Sequence, residues 1–357
     1  MSSSKKRKFY ISIIILILVI IGIGIYDIYY TSIFPSDQNG GPDNISGNDF
    51  HHIQKTEFLM DTVISIDIFS RDKEEAEQAL QEALILMEDW SDKVDRYQED
   101  SLIYKINMAQ EPVNVPEGII TMLEESRIYY EKSDGRFDPT VGPLLDLWGF
   151  GSEEMKIPSE EEIETVQEKI GFDRLEIDYE ARQIYVPEGM SLDLGAVAKG
   201  YIVDRAVELL EEKGIDSALI NAGGNIGVLG EKPDRPWNLG IKNPRDDAAE
   251  QIFPEYIMSL SEGGLATSGD YERYFMEDGV RYSHLINPHT GYQVREMRSS
   301  TIYAPTALKA DILSTAVFIM GWEEGQKLIN ELDRIEGLLV RDDEVWSSDG
   351  FSDLLRD

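Results

Sequence analysis

The chain has 357 residues, a formal net charge of −35 and a pI near 4.4, an acidic balance that argues against nucleic acid or an anionic membrane surface as a partner. It has no cysteine. Disulfides, thiolate catalysis, thiolate metal sites and a lipid-modified N-terminal cysteine are therefore excluded, and any metal has to sit on oxygen or nitrogen.

In chain order, Phe9 to Tyr26 is an uncharged, almost wholly apolar run, within the roughly 17 to 25 residues a helix needs to cross hydrocarbon. Lys5, Lys6, Arg7 and Lys8 precede it and Asp27 follows, so the positive-inside bias puts residues 1–8 in the cytoplasm and the rest outside. A cleaved signal peptide would end in small residues, whereas Tyr26-Asp-Ile-Tyr-Tyr follows here. The expectation is a single-pass anchor at 9–26 in the cell membrane. Residues 27–52 read as a flexible stalk, polar and glycine-containing from Ser36 to Asp49. Residues 53–357 are expected to form one extracytoplasmic domain.

Within that domain, strand and helix patterns alternate without the regular rhythm of a doubly wound sheet, which predicts an α+β fold. Thr62 to Phe69 alternates as a strand, and Glu74 to Asp92 has the apolar spacing of an amphipathic helix. Val203 to Glu212 predicts another helix, stopped by Gly214 and followed by a strand at Ser217 to Asn221. Asp311 to Met320 predicts a mostly buried helix.

Five segments carry more glycine and polar punctuation than a core requires. Asp134 to Gly151 is a Gly- and Pro-shaped loop with aromatic stacking surfaces. Asp193 to Asp204 passes from a strand end through Gly195 into a helix start with Lys199, which suits an anion such as phosphate; plain helix punctuation accounts for the same pattern. Asn221-Ala-Gly-Gly-Asn225 lets backbone approach a ligand, or is a simple tight turn. Ala266 to Phe275 with Tyr282 to Tyr292 holds two of the four histidines, each a candidate acid, base or phosphate donor, or a hydrogen-bonded structural residue. In Ala304 to Gly321, Asp311 and Thr315 lie four apart on one side of a helix, where they suit a hard cation; a capping Thr315 and a lysine-paired Asp311 are the alternative.

Taken in order, with Met60-Asp-Thr62 and Tyr97 to Asn107, these segments resemble the ApbE family of FAD:protein FMN transferases over nearly the whole chain after the stalk. The resemblance implies a T-fold-like α+β domain of mixed sheets and helices that uses FAD as substrate with Mg2+. It also implies an enzyme that joins FMN by a phosphoester to a Ser or Thr of a target flavoprotein, releasing AMP. Carried over, it assigns the metal to the Ala196 carbonyl, Asp311 and Thr315. FAD would meet Met60, Tyr97, Arg136, Phe137, Asp138, Asp193, Lys199 and a strand from His284 to Ile286. His284 and Asp311 are the implied catalytic residues, with Asp193 a second candidate base. The chain departs from the family's usual Met-Gly-Thr at Asp61, and from its usual Asp-Pro at Asn287-Pro288. The rival readings are an FAD pyrophosphatase that releases FMN and AMP, and a non-catalytic, membrane-anchored flavin-binding module.

Overall fold

The computed structural model describes residues 50–152, 154–245, 252–342 and 344–356. The predicted anchor at 9–26 lies outside them, as does the stalk up to residue 49. No helix among the described residues is long and apolar enough to cross a membrane. Within the segment 27–52 expected as a stalk, His51 and His52 already belong to a strand, with His51 pairing against Ser70.

A hairpin of β1 (His51–Leu59) and β2 (Thr62–Ser70) leads into α1 (Lys73–Val94) and α2 (Leu102–Met108). β3 (Val113–Asn114), α3 (Glu117–Lys132), α4 (Gly142–Trp148), α5 (Glu160–Gln167), β4 (Glu176–Asp178) and β5 (Gln183–Tyr185) follow. Next come α6 (Ala198–Glu212), β6 (Ala218–Ala222), β7 (Asn225–Leu229), β8 (Trp237–Lys242), β9 (Ile252–Leu260) and β10 (Glu262–Gly269). The hairpin β11 (Tyr274–Glu277) and β12 (Val280–Ser283) precedes β13 (Ser299–Ala304), α7 (Ala307–Met320), α8 (Trp322–Glu331), β14 (Glu336–Arg341) and β15 (Glu344–Ser347).

The main sheet has eight strands in the order β1-β2-β6-β7-β10-β13-β14-β15. Every neighbouring pair is antiparallel, so the mixture in this α+β fold is of helices with strands, not of strand directions within the main sheet. The two-residue period of the strands sends alternate side chains to opposite faces. Ile64, Ile66 and Ile68 of β2, Ile220 of β6, Ala266 of β10 and Ile302 of β13 join the core that contains α1, α6 and α7. Leu219, Ile226, Val228, Leu265 and Leu338 face the other way and pack with Trp237, Leu239, Met258 and Leu260 of the β8–β9 ribbon. Each such fully buried aliphatic side chain stabilises the fold by roughly 1.5–3 kcal/mol.

Local chemistry sets the helix ends. Asp72 caps α1 by accepting from the Glu75 N–H, and Ala76, Ala79, Leu80, Ala83 and Met87 form its buried stripe. The helix α7 is buried on almost every side, from Ala307 to Ile319, and it begins at a cap from Thr306 to the Lys309 N–H. Its first two N–H groups, on Ala307 and Leu308, donate to the two carboxylate oxygens of Asp204 on α6 at 2.7 and 2.9 Å. Burial nevertheless pushes the Asp204 pKa up, to about 6, against the pull of those two hydrogen bonds. α7, which carries Asp311 and Thr315, is thereby joined to α6, which follows Ala196, by hydrogen bonds to a carboxylate.

Candidate active site

The start of α6 lies against α7 at Gly200. A Cβ at this position would run into the Ala307 carbonyl and lie 2.7 Å from the Asp311 Cβ, so only glycine permits this approach. Through it the Gly200 N–H donates to Asp311 Oδ2 at 2.9 Å, and among the described residues this is the one hydrogen bond the Asp311 carboxylate accepts. Burial pushes the Asp311 pKa up, while the nearby Lys199 ammonium and the Gly200 N–H pull it back. Lys199 itself donates to the Gly195 carbonyl at 3.0 Å. Thr315, one turn along α7, shares a hydrogen bond with the Ser268 hydroxyl of β10 at 3.0 Å, so it does not back-bond to its own helix. Ser268 also meets Ser314 at 2.9 Å.

We expect Gly200→Ala to cost about 1–3 kcal/mol through overpacking of the α6–α7 contact. A lower urea midpoint in equilibrium unfolding would show it, and an unchanged midpoint would mean that the helices do not meet as described.

Asp193 sits before this junction in a turn, not at a strand end: the segment pairs only through the bridge of Ser191 with Val141. Its Oδ1 accepts from the Gly195 N–H at 2.8 Å, and its backbone N–H donates to the Pro139 carbonyl at 2.8 Å, which ties the 134–142 loop to the start of α6. Asp193 Oδ2 lies 3.4 Å from Arg96, whose guanidinium also reaches Asp146 at 2.6 Å and Ser191 at 3.3 Å. Burial pulls the Arg96 pKa down, but Asp193 and Asp146 outweigh it and leave it raised. Arg96 also stacks on Tyr97, whose ring is 46 % exposed and lies against Gly151.

His284 follows β12. The ladder of the β11–β12 hairpin continues one rung past Tyr274 and Ser283, because the His284 N–H donates to the Arg273 carbonyl at 3.0 Å. His284 Nδ1 lies 3.2 Å from the same carbonyl. A carbonyl only accepts, so Nδ1 carries the proton and Nε2 is left with its lone pair. Burial lowers the His284 pKa to about 4, with the Arg273 and Lys199 charges adding to it and Asp193 opposing. The strand expected at His284 to Ile286 is not there: β12 ends at Ser283, and Ile286 forms only an isolated bridge with Gln293, since Asn287-Pro288 turns the chain.

Lys199 acts on both His284 and Asp311 by its charge, and Asp193 acts on His284, with Ala196 in the turn between Asp193 and Lys199 and Thr315 one helical turn from Asp311. Several other predicted residues sit differently. Phe137 is part of the main core and Ile286 of a smaller one with Trp148 and Phe150, so a ligand reaches these two only through their backbone. Asp138 is spent on Thr140 at 2.7 and 2.6 Å and on the Phe172 N–H at 3.2 Å, and burial lifts its pKa to about 6. Arg136 donates to the Ser133 carbonyl at 3.1 Å. Met60 and Asp61 form the β1–β2 turn with φ of 55° and 56°, a left-handed pair that aspartate tolerates in place of the family's usual glycine. The turn at Gly223 and Gly224 packs a glycine against Thr62 beside it. Arg96, Arg273, Ser268 and Phe150 were not singled out in the sequence. Arg273, Ser268 and Phe150 lie inside segments whose punctuation pointed to function, and Arg96 directly precedes Tyr97.

No group of three or more His, Cys, Asp or Glu suited to a metal occurs among the described residues. A set of one carboxylate, one hydroxyl and one carbonyl is different, and it fits a hard, oxygen-seeking cation. Asp311 is buried, carries a raised pKa and accepts a single hydrogen bond, so it keeps capacity for a cation that would favour its ionised form.

The ApbE family model matches residues 60–339. A protein of Treponema pallidum (strain Nichols) named FAD:protein FMN transferase is 31 % identical over 323 residues, covering 85 % of this chain and 88 % of that protein. One of Escherichia coli (strain K12) with the same name is 34 % identical over 253 residues, covering 68 % and 70 %. The crystal structure of the ApbE protein of Thermotoga maritima superposes with a TM-score of 0.79 at 34 % identity, covering 86 % of this chain and all 100 % of that one. The flavin transferase ApbE of Vibrio cholerae gives 0.75 at 28 % identity, covering 86 % and 100 %. With a family match from β2 into β14 that takes in α1, α6, α7 and the His284 hairpin, the chain belongs to the ApbE family.

Proposed function

We propose that this chain is an Mg2+-dependent FAD:protein FMN transferase, which moves FMN from FAD onto a Ser or Thr hydroxyl of a target flavoprotein and releases AMP. The observation that carries this reading is a lysine, Lys199, whose charge acts both on the lone-pair-bearing His284 imidazole and on the under-bonded buried Asp311 carboxylate of the α6–α7 contact. Names shared by relatives that match most of the chain support it.

Asp311, Thr315 and the Ala196 carbonyl would hold Mg2+, which when bound neutralises charge on a pyrophosphate. Lys199 supplies positive charge for the diphosphate beside it, and Arg96 holds Asp193 and the first turns of α4, at Gly142 and Asp146, in place. In the transfer step the acceptor oxygen forms a bond to the FMN-side phosphorus, and the bond from that phosphorus to the AMP oxygen breaks. The hydroxyl proton passes to His284 Nε2, and Asp193 offsets the positive charge formed on the imidazole. Positioning and charge stabilisation carry most of such reactions. Tyr97, with an exposed ring backed by Arg96, offers a stacking face for one of FAD's rings.

Residues 9–26 are proposed to anchor the protein in the cell membrane with the catalytic domain extracytoplasmic, on the strength of their apolar run and its basic flank. The test of the reaction is metal depletion: with EDTA-treated enzyme, FAD and an acceptor flavoprotein, no AMP forms until Mg2+ is restored. AMP release at full rate without divalent cation would contradict the metal assignment.

A further inference from the structure

We infer that the acceptor protein docks as an added β-strand on the outer edge of β11, a proposal that rests on the transferase reading. The hairpin β11–β12 is a two-stranded sheet of its own, and among the described residues β11 pairs with no other strand. Its turn is a two-residue one, Asp278 and Gly279, with φ of 50° and 78°. Glu277 and Val280 close it as a hydrogen-bonded pair, so such pairs recur at Phe275 with Tyr282 and at Arg273 with His284. The observed bond from the His284 N–H to the Arg273 carbonyl agrees with this phase. Tyr274 and Met276 are the alternate, non-hydrogen-bonded positions, and their backbone N–H and C=O groups point away from β12 to the open edge.

The side chains repeat that division. Phe275 packs inward on Tyr282, Phe150 and Trp148, which anchors the hairpin. Tyr274 and Met276 are 40 % and 52 % exposed on the opposite face, the Tyr274 ring with the Arg281 guanidinium over it at 4.3 Å. An open edge with exposed apolar side chains is the kind of surface that native proteins usually cover or charge. It also leads to the chemistry. A segment laid along β11 is carried by the strand direction to a place beside Arg273, where the segment itself lies about two strand spacings, or ~10 Å, from the His284 backbone. The imidazole leans across that gap, with Nδ1 on the Arg273 carbonyl.

The reaction requires a macromolecular hydroxyl at this place, and strand addition binds an extended segment through its main chain, with alternate side chains free to add specificity. The occupant is therefore an extended loop or terminus of the acceptor with its Ser or Thr just beyond the paired residues. β1 is the other open edge near the site, with Met60 at its end, and serves as the comparison.

The probe is a synthetic peptide, chosen from a Ser- and Thr-containing library because the wild-type enzyme modifies it with FMN. Met276→Pro removes one outward N–H without taking a bond from the hairpin. It is expected to lower kcat/KM for the peptide by about tenfold or more, with FAD affinity unchanged. Met276→Leu, which keeps the N–H, should behave as wild type. Thr56→Pro, at an outward position of β1, should also transfer normally. Hydrogen exchange in the wild-type enzyme gives an independent reading, since the Tyr274 and Met276 amides should slow when a Ala-substituted peptide is bound. Normal transfer by Met276→Pro, loss confined to Thr56→Pro, or unchanged amide exchange would each overturn the docking proposal. A wild-type enzyme that modifies no peptide and no flavoprotein would instead overturn the transferase reading, and the proposal with it.

Discussion

Asp311→Asn is expected to reduce FMN transfer by more than about 100-fold, beyond the loss typical of residues that only support a metal ligand. The substitution keeps a side-chain oxygen for the Gly200 N–H, so the α6–α7 contact survives. What it removes is the negative charge that a cation needs. Stability should respond in the opposite sense to activity. Burial raises the Asp311 pKa, so the folded state binds a proton more readily than the unfolded chain, and this group's contribution is lost as pH rises above the ordinary carboxylate range. The neutral variant has no such loss. Without metal at neutral pH, Asp311→Asn should therefore unfold at a urea midpoint equal to or above that of the wild type, and added Mg2+ should no longer raise it. Full transfer by this variant, or an Mg2+-dependent midpoint, would remove Asp311 from the metal site.

His284→Ala is expected to lower kcat by roughly 10²–10⁴, the range for a positioned general base. The free enzyme holds His284 neutral down to a pKa of about 4, because burial and the Arg273 charge disfavour the imidazolium. The acid limb of kcat/KM should therefore fall near pH 4, not near the ordinary histidine value of about 6.5. Bound diphosphate adds negative charge next to the ring and favours its protonation, so the acid limb of kcat should lie at higher pH than that of kcat/KM. Stability follows the same group. Between pH 4 and about 6.5 the unfolded chain binds the His284 proton that the native state refuses, so this contribution is present above that window and lost as pH falls through it. His284→Ala should lose both the kinetic limb and this slope. Retained flavin binding with lost transfer would fit the chemical role, whereas lost binding would mark His284 as structural.

The amphipathic helix expected at Glu74 to Asp92 is α1 with two residues added at its C-terminus and one at its N-terminus, because its buried stripe runs at unbroken helical spacing. Periodicity was less help at α6, which starts at Ala198, before the predicted Val203: its first turn contains Gly200, a poor helix former that is there for the contact with α7. The start of α7 at Ala307, four residues before Asp311, is marked locally by its Thr306 cap, whereas the Asp204 carboxylate that takes the Ala307 and Leu308 N–H groups comes from a distant helix that local sequence does not reveal. At the site, Lys199, Asp193, Asp311, Thr315 and His284 stand out as candidates in the sequence, with their roles coming from the family resemblance and not from spacing. Residues defined by distant partners do not. Arg96 meets Asp146 and Asp193, 50 and 97 positions away, and the resemblance that assigns Phe137 to FAD does not reveal that its ring turns into the core.

The central claim is that FAD is consumed by transfer and not by water. Its most direct test is to quantify AMP and FMN-modified acceptor together, by chromatography and intact-protein mass, in one reaction of the 50–357 domain with FAD, Mg2+ and an acceptor flavoprotein. Equal amounts of AMP and of acceptor bearing FMN on a Ser or Thr are predicted. AMP matched by free FMN with the acceptor unmodified would establish a pyrophosphatase, and flavin that is bound but never consumed would leave only a binding module.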